Sequence, residues 1–225
     1  MIKIKNCSKQ YEDAIVFRNI NLTASKGDCI ALLGANASGK TTMLKIILGV
    51  VDIDEGMMEI DREYRTGFFL DEQLLYDELS IENNMKIYCP LKKIKRIKRE
   101  ESIEHWLQYF GLLEYRKKKV KKISAGMKKR LALAVANLNE PDILLLDEPL
   151  DALDSEYKEK FLNLIRDKQR QGALIIIATH NVELLTTTVN RWVLIENGEL
   201  IERGAPPVNF TIQPQVQGTS EIGNS

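Results

Sequence analysis

At 225 residues the chain is long enough to bury a core without disulfides, and its three cysteines, Cys7, Cys29 and Cys89, form no C-x-x-C pair and have no histidine near them. They read as reduced packing residues of a cytosolic protein, which excludes a disulfide framework and gives no zinc site. The 32 Lys and Arg balance 32 Asp and Glu, and the longest apolar run, 173–178, falls far short of the roughly 18 residues that span a bilayer, so any membrane role must come through a partner.

Residues 2–5 alternate apolar and basic side chains like a strand and lack the apolar stretch of a secretory signal, which predicts a chain that is not exported. Residues 14–22 predict a second strand, and the continuous apolar run 29–33 a buried one. Directly after it, Gly34-Ala35-Asn36-Ala37-Ser38-Gly39-Lys40-Thr41 matches G-x-x-x-x-G-K-[ST] and leads into a helical pattern over 42–48. Strand, glycine loop and helix are the context that a phosphate-binding loop requires. The glycines let backbone amides converge on phosphates, and the helix start, Thr42 included, adds its positive dipole end. Lys40 is expected to reach the β- and γ-phosphates, and the Thr41 hydroxyl to bind Mg²⁺.

From 80 to 139 the spacing turns helical and highly charged, with Ile103, Trp106, Leu107 and Phe110 at i, i+3, i+4 and i+7. Between 92 and 130 there are 15 Lys and Arg against 4 Asp and Glu, clustered at 92–99, 116–122 and 128–130. Such a patch suits anionic headgroups, nucleic acid, an acidic partner or simply a solvated face, so it assigns no function. The apolar strand 143–146 then ends in Asp147-Glu148. A buried strand holds its terminal carboxylates rigidly beside a metal, which makes Asp147 a Mg²⁺ residue and Glu148 a general base for water. A helix over 155–169, a strand over 173–178, a short helix after His180, a strand over 192–195 and an Asn197-Gly198 hairpin into 199–202 complete the pattern. Buried strands alternating with helices predict an α/β fold around a mostly parallel sheet. Residues 205–225 turn polar and aperiodic and read as a loosely ordered tail.

Taken in order and spacing, these residues resemble the ATP-binding cassette (ABC) ATPases over almost the whole chain, about 2–204. The resemblance implies a P-loop NTPase with an N-terminal antiparallel β part and an inserted helical subdomain: 1–79 and 141–204 as the ATP-binding core, 80–140 as the helical insert. It implies that Tyr11, 29 residues before Lys40, stacks on adenine. It implies that Ser124-Ala125-Gly126, followed by Met127, is the family's signature element in an S-x-G-M form familiar from export-type relatives. Asp154, closing Pro149-Leu150-Asp151-Ala152-Leu153-Asp154, would contact a facing subunit, and His180 would touch the γ-phosphate as a switch. Asp71 stands where the family has its lid glutamine, with Gln73 two residues later. Three readings stay open there: Asp71 ligates Mg²⁺ directly or through water, Gln73 substitutes by a loop shift, or coupling to a partner is altered.

Because the signature element of one copy serves the nucleotide of another, the resemblance implies a homodimer or pseudo-dimer that sandwiches two Mg-ATP. It further implies a separate transmembrane permease, a place on the inner face of the cell membrane, a small two-gene bacterial-type system and no nucleic-acid partner. The rival from another class is a soluble cassette ATPase acting in iron–sulfur assembly or on nucleic acid or the ribosome. A GTP-dependent switch would need an N-K-x-D motif, which the sequence does not contain.

Overall fold

The structure, a computed structural model, describes residues 1–12, 14–61, 63–70, 75–180 and 182–204, with the side chain of Leu184 left out. Asp71, Gln73 and the 205–225 tail lie outside the described residues.

Two sheets organise the chain. In the first, β1 (Ile2–Tyr11) lies between β2 (Ala14–Ala24) and β4 (Glu55–Ile60), all antiparallel. β1 runs well past the expected 2–5 because Asn6 adopts φ 49° and the pairing register shifts between Ile4 and Cys7. This bulge resets which side chains point inward, so Ile2, Ile4 and Cys7 are all buried although their spacing breaks strict alternation. β4 gave no sequence signal, since it is partly exposed and carries glutamates and a glycine.

The second sheet has the order β5-β6-β7-β3-β8-β9, built from β5 (Thr66–Phe69), β6 (Ile143–Asp147), β7 (Leu174–Thr179), β3 (Cys29–Leu33), β8 (Arg191–Glu196) and β9 (Glu199–Arg203). All neighbours are parallel except β8 and β9, which the hairpin at Asn197 and Gly198, both with positive φ, makes antiparallel. The central strands are buried on both faces, as their continuous apolar runs require. Successive residues serve opposite sides: Ala31 and Leu33 join one apolar cluster with Leu144, Leu146, Ile175 and Ile177, while Ile30 and Leu32 join another with Leu145 and Ile176.

α1 (Lys40–Ile47) packs on β6 and β7 within the second cluster. The first cluster extends into α2 (Ile81–Leu91), α3 (Arg99–Tyr109) and α4 (Ala125–Asn137), and α4 is the helix that meets β5. Ile103, Trp106, Leu107 and Phe110 are all buried, as their helical spacing predicts, and burying each such side chain contributes about 1.5–3 kcal/mol. α5 (Ser155–Arg170) covers β7 with Phe161, Leu164 and Ile165. After His180, where a short helix was expected, the described residues form a 3₁₀ turn, Glu183–Leu185.

Part of the basic region is used internally. Glu82, 2% exposed, is ion-paired with Arg116, Lys117 and Lys86, while Glu78 takes Lys119 and Lys121, and Asp77 takes Lys128.

Candidate functional site

Three adjacent parallel strands end at one place. β3 runs into loop 34–39, β6 ends at Asp147 with Glu148 next, and β7 ends at Thr179 with His180 next. Leu33 is in register with Thr179 and Asp147 with Ala178, so the three ends are level. The crevice outside such carboxyl ends is where open α/β sheets bind ligands.

The loop needs glycine at both ends. A Cβ on Gly34 would lie 2.2 Å from Ser38 Oγ and 2.8 Å from the Ile195 carbonyl oxygen; Gly39 has φ 103°, and a Cβ there would lie 2.5 Å from Val16 Cγ1. Gly39 leaves α1 without a side-chain cap, so the amides of its first turn have no cap acceptor, and the buried Ser38 Oγ has no hydrogen-bond partner. Orphan donors at a helix start fit a phosphate group. Asn36 and Ala37 are exposed between the glycines, and Ala35 and Thr42 are half-buried.

Lys40 is 7% exposed, and its ammonium donates to the carbonyls of Gly34 at 2.8 Å and Ala35 at 3.0 Å. Burial pushes its pKa down, against the pull of Glu148 and Asp147. Thr41 Oγ1 donates to Asp147 Oδ2 at 2.5 Å. Burial pushes the Asp147 carboxyl up, and the Thr41 hydrogen bond opposes it. A hydroxyl and a carboxylate joined at this distance are the hard oxygen donors that Mg²⁺ prefers.

Glu148 adopts φ 45°, a conformation uncommon for a residue with a side chain. It is held at several points. Its amide donates to the Ala178 carbonyl at 2.8 Å, Oε2 accepts from Thr179 Oγ1 at 2.8 Å and from the His180 amide at 3.3 Å, and Oε1 lies 2.9 Å from His180 Nδ1. Asp151 joins them: ligand-capable atoms of Glu148, Asp151 and His180 lie within 4.8 Å of one another. The structure thus brings Lys40, Thr41, Asp147, Glu148 and His180 together. Sequence reasoning missed Thr179, because a hydroxyl at the end of a buried strand has no spacing signature.

The protein-family model described as "ABC transporter" matches residues 17–151, more than half of the chain, including both the glycine loop and the acidic strand end. The chain belongs to the ABC transporter ATPases. A second model, described as an AAA domain of a putative AbiEii toxin, matches only 119–186. ABC transporter ATP-binding protein NatA of Bacillus subtilis is 30% identical over 220 residues, covering 91% of this chain and 89% of that protein. Spermidine/putrescine import ATP-binding protein PotA of Acetivibrio thermocellus is also 30% identical over 218 residues, covering 92% of this chain but 61% of that longer protein. Among solved structures, the dimeric post-hydrolysis state of the ATP-binding cassette MJ0796, bound to ADP and Pi, superposes with a TM-score of 0.82 at 26% identity, covering 91% of this chain and 98% of that one.

Of the remaining candidate residues of this ABC ATPase, Ser124 and Asp154 are helix caps and Tyr11 lies on the β1–β2 hairpin. Ser124 caps α4, its hydroxyl accepting from the Met127 amide at 3.2 Å, and Ala125 and Gly126 open the helix. A Cβ on Gly126 would lie 3.1 Å from the Ala152 carbonyl oxygen, so the helix start packs beside the 151–154 turn. Among the described residues no hydrogen bond joins 124–126 to loop 34–41. Asp154 caps α5 by accepting from the Tyr157 amide at 3.0 Å. Tyr11 is 46% exposed at the tip of the β1–β2 hairpin, with Lys9 Nζ 5.2 Å from its ring centre. Val16 of the same hairpin flanks Gly39, which sets the hairpin beside the loop.

Proposed function

We propose that two copies of this cassette, or one copy and a similar chain, clasp two Mg-ATP head to tail and drive a separate membrane subunit. The observation that carries the reading is the division of the site. Phosphate loop, acidic strand end and His180 converge, whereas Ser124, Ala125 and Gly126 present a second helix start with, among the described residues, no hydrogen bond to them. In this reading that start serves the nucleotide of a facing copy. The dimer formed by the cassette MJ0796 supports the same arrangement.

In this reading the amides of 34–39, Lys40 and Thr42 hold the triphosphate, Tyr11 stacks on adenine, and Thr41 and Asp147 hold Mg²⁺. Bound Mg-ATP supplies the reactive phosphoanhydride and the cation that neutralises its charge. Glu148 takes the proton of the attacking water, a role worth about 10²–10⁴ in rate, with Thr179 and His180 fixing its two oxygens. His180 also senses the γ-phosphate, and Asp154 contacts the facing copy. Removing the γ-phosphate removes the charge shared between copies and loosens them, a two-state switch. The division into an ATP-binding core, 1–79 with 141–204, and a helical subdomain, 80–140, belongs to the same proposal.

The membrane subunit docks between the core and the helical layer. A groove of about 460 Å³ opens there, lined by Tyr64, Phe68, Leu75, Tyr88, Leu91 and Lys92. Among the described residues no helix is long and apolar enough to cross a membrane. The partner does the spanning, and this chain sits on the cytoplasmic face.

Glu148→Gln tests the reading, because it removes the base and keeps the binding surface. The variant is expected to bind ATP and to elute as a dimer on size exclusion with ATP. A variant that binds nucleotide yet stays monomeric overturns the sandwich. Copurification of a membrane protein is expected in parallel; RNA or a soluble assembly complex in its place overturns the transport role.

A further inference from the structure

Lys129 has been given no role so far, yet it is a buried cation beside the site. It lies in the second turn of α4 and is only 5% exposed. Its ammonium donates to the backbone carbonyl of Glu148 at 2.6 Å and sits 5.3 Å from the ring centre of Phe69, at the end of β5. Burying an ammonium is costly unless strong hydrogen bonds compensate, so an apolar side chain would be the cheaper filler at such a position. The lysine therefore suits a task at its far end.

One partner at that far end is the peptide of Glu148, which holds φ 45°. A side-chain-bearing residue stays in that region only when its surroundings over-determine it. The amide and the two carboxylate oxygens are held by Ala178, Thr179 and His180, all from the end of β7. The carbonyl accepts from the Asp151 amide at 3.4 Å in its own turn and, at 2.6 Å, from Lys129 of α4, the helix that begins at Ser124.

We propose that Lys129 is a positioning residue for hydrolysis: from α4 its ammonium fixes the Glu148 peptide in the left-handed setting that presents the carboxylate to Thr179 and His180. The arrangement also ties the base to the helix whose start serves the facing copy, so a shift of α4 reaches the Glu148 carbonyl through a single side chain. The proposal rests on Glu148 being the base.

The test uses the full chain with Lys129→Met, which keeps the stem and removes the donor, and Lys129→Arg, which keeps a donor. In the nucleotide-free protein, amide hydrogen exchange is expected to speed up for the peptide covering 147–151 in Lys129→Met and to return towards the parent in Lys129→Arg. Single-turnover ATP hydrolysis is expected to fall about 10- to 100-fold in Lys129→Met, the scale on which a misplaced catalytic group costs rate, with ATP affinity kept within about twofold. Added to Glu148→Gln, Lys129→Met is expected to lower the residual rate no further. Hydrolysis at the parental rate in Lys129→Met, with Glu148→Gln inactive, overturns the proposal alone. Exchange that accelerates throughout α4 and the sheet also overturns it, since the lysine would then be a structural tether. Parental hydrolysis in Glu148→Gln removes the base assignment, and the proposal falls with it.

Discussion

A triphosphate site needs charges that the bare fold disfavours, and Asp147 shows the conflict most directly. Burial raises its carboxyl above the ordinary range, so in the nucleotide-free state the charged form is a burden. The folded state holds a proton more tightly than the unfolded state does. Stability from this group therefore falls as pH rises through the carboxylate range, and the penalty is fully present at pH 7. Asp147→Asn keeps the shape and removes the charge. It is expected to raise the Tm of the nucleotide-free protein slightly at pH 7, since solvent screening and the Thr41 hydrogen bond temper the penalty, while abolishing Mg²⁺-dependent hydrolysis. Calorimetry with and without Mg-ATP checks both halves. The sequence alone pointed to Asp147, Glu148, Lys40 and Thr41, because their chemistry is written in contiguous motifs. It was silent on Thr179 and Lys129, whose partners are set by how strands and helices stack.

At the level of elements, two helix starts allow a controlled comparison. Ser80 caps α2 and Ser124 caps α4, each hydroxyl accepting from the amide three residues on at 3.2 Å. Replacing either by alanine is expected to cost about 1 kcal/mol of stability, because one orphan amide loses its acceptor. Only Ser124→Ala is expected to weaken ATP-driven dimerisation as well. Thermal unfolding alongside size exclusion with ATP separates the shared capping loss from the specific one. If Ser80→Ala and Ser124→Ala behave alike in both assays, Ser124 is a cap and nothing more. The helical layer that holds α4 was legible from the helical spacing over 80–139. β4 was not, since a half-exposed edge segment gains its structure by pairing with β1 and not from its own pattern.

Across the whole molecule, the basic stretch, to which the sequence assigned no function, is in part a scaffold. Glu82 draws Arg116, Lys117 and Lys86 together, tying α2 to the segment before α4. The hydrogen bonds from Arg116, Lys117 and Lys86 hold its carboxyl well below the usual range. The carboxylate is roofed by its own cations and not set deep in the core, so solvent screening tempers its contribution. Since the folded pKa is depressed, this stability is present above about pH 4.5 and is lost as pH falls below it. Glu82→Gln is expected to cost about 1–2 kcal/mol at pH 7 and to flatten the decline in Tm between pH 5 and 3. Acid titration of the Tm checks this, and an unchanged slope would show the cluster to be ornamental.

What the sequence determined by itself was local: the glycine loop, the acid-ended strand, the buried apolar runs and the stripe from Ile103 to Phe110. Each follows from backbone sterics or periodicity within a few residues. Tertiary structure decided what depends on distant chain. The level ends of β3, β6 and β7 bring Thr41 to Asp147 across 106 residues, and the packing of α4 on β5 carries Lys129 to the Glu148 carbonyl. Contacts of that kind are fixed by strand order and layer packing, which no window of sequence contains.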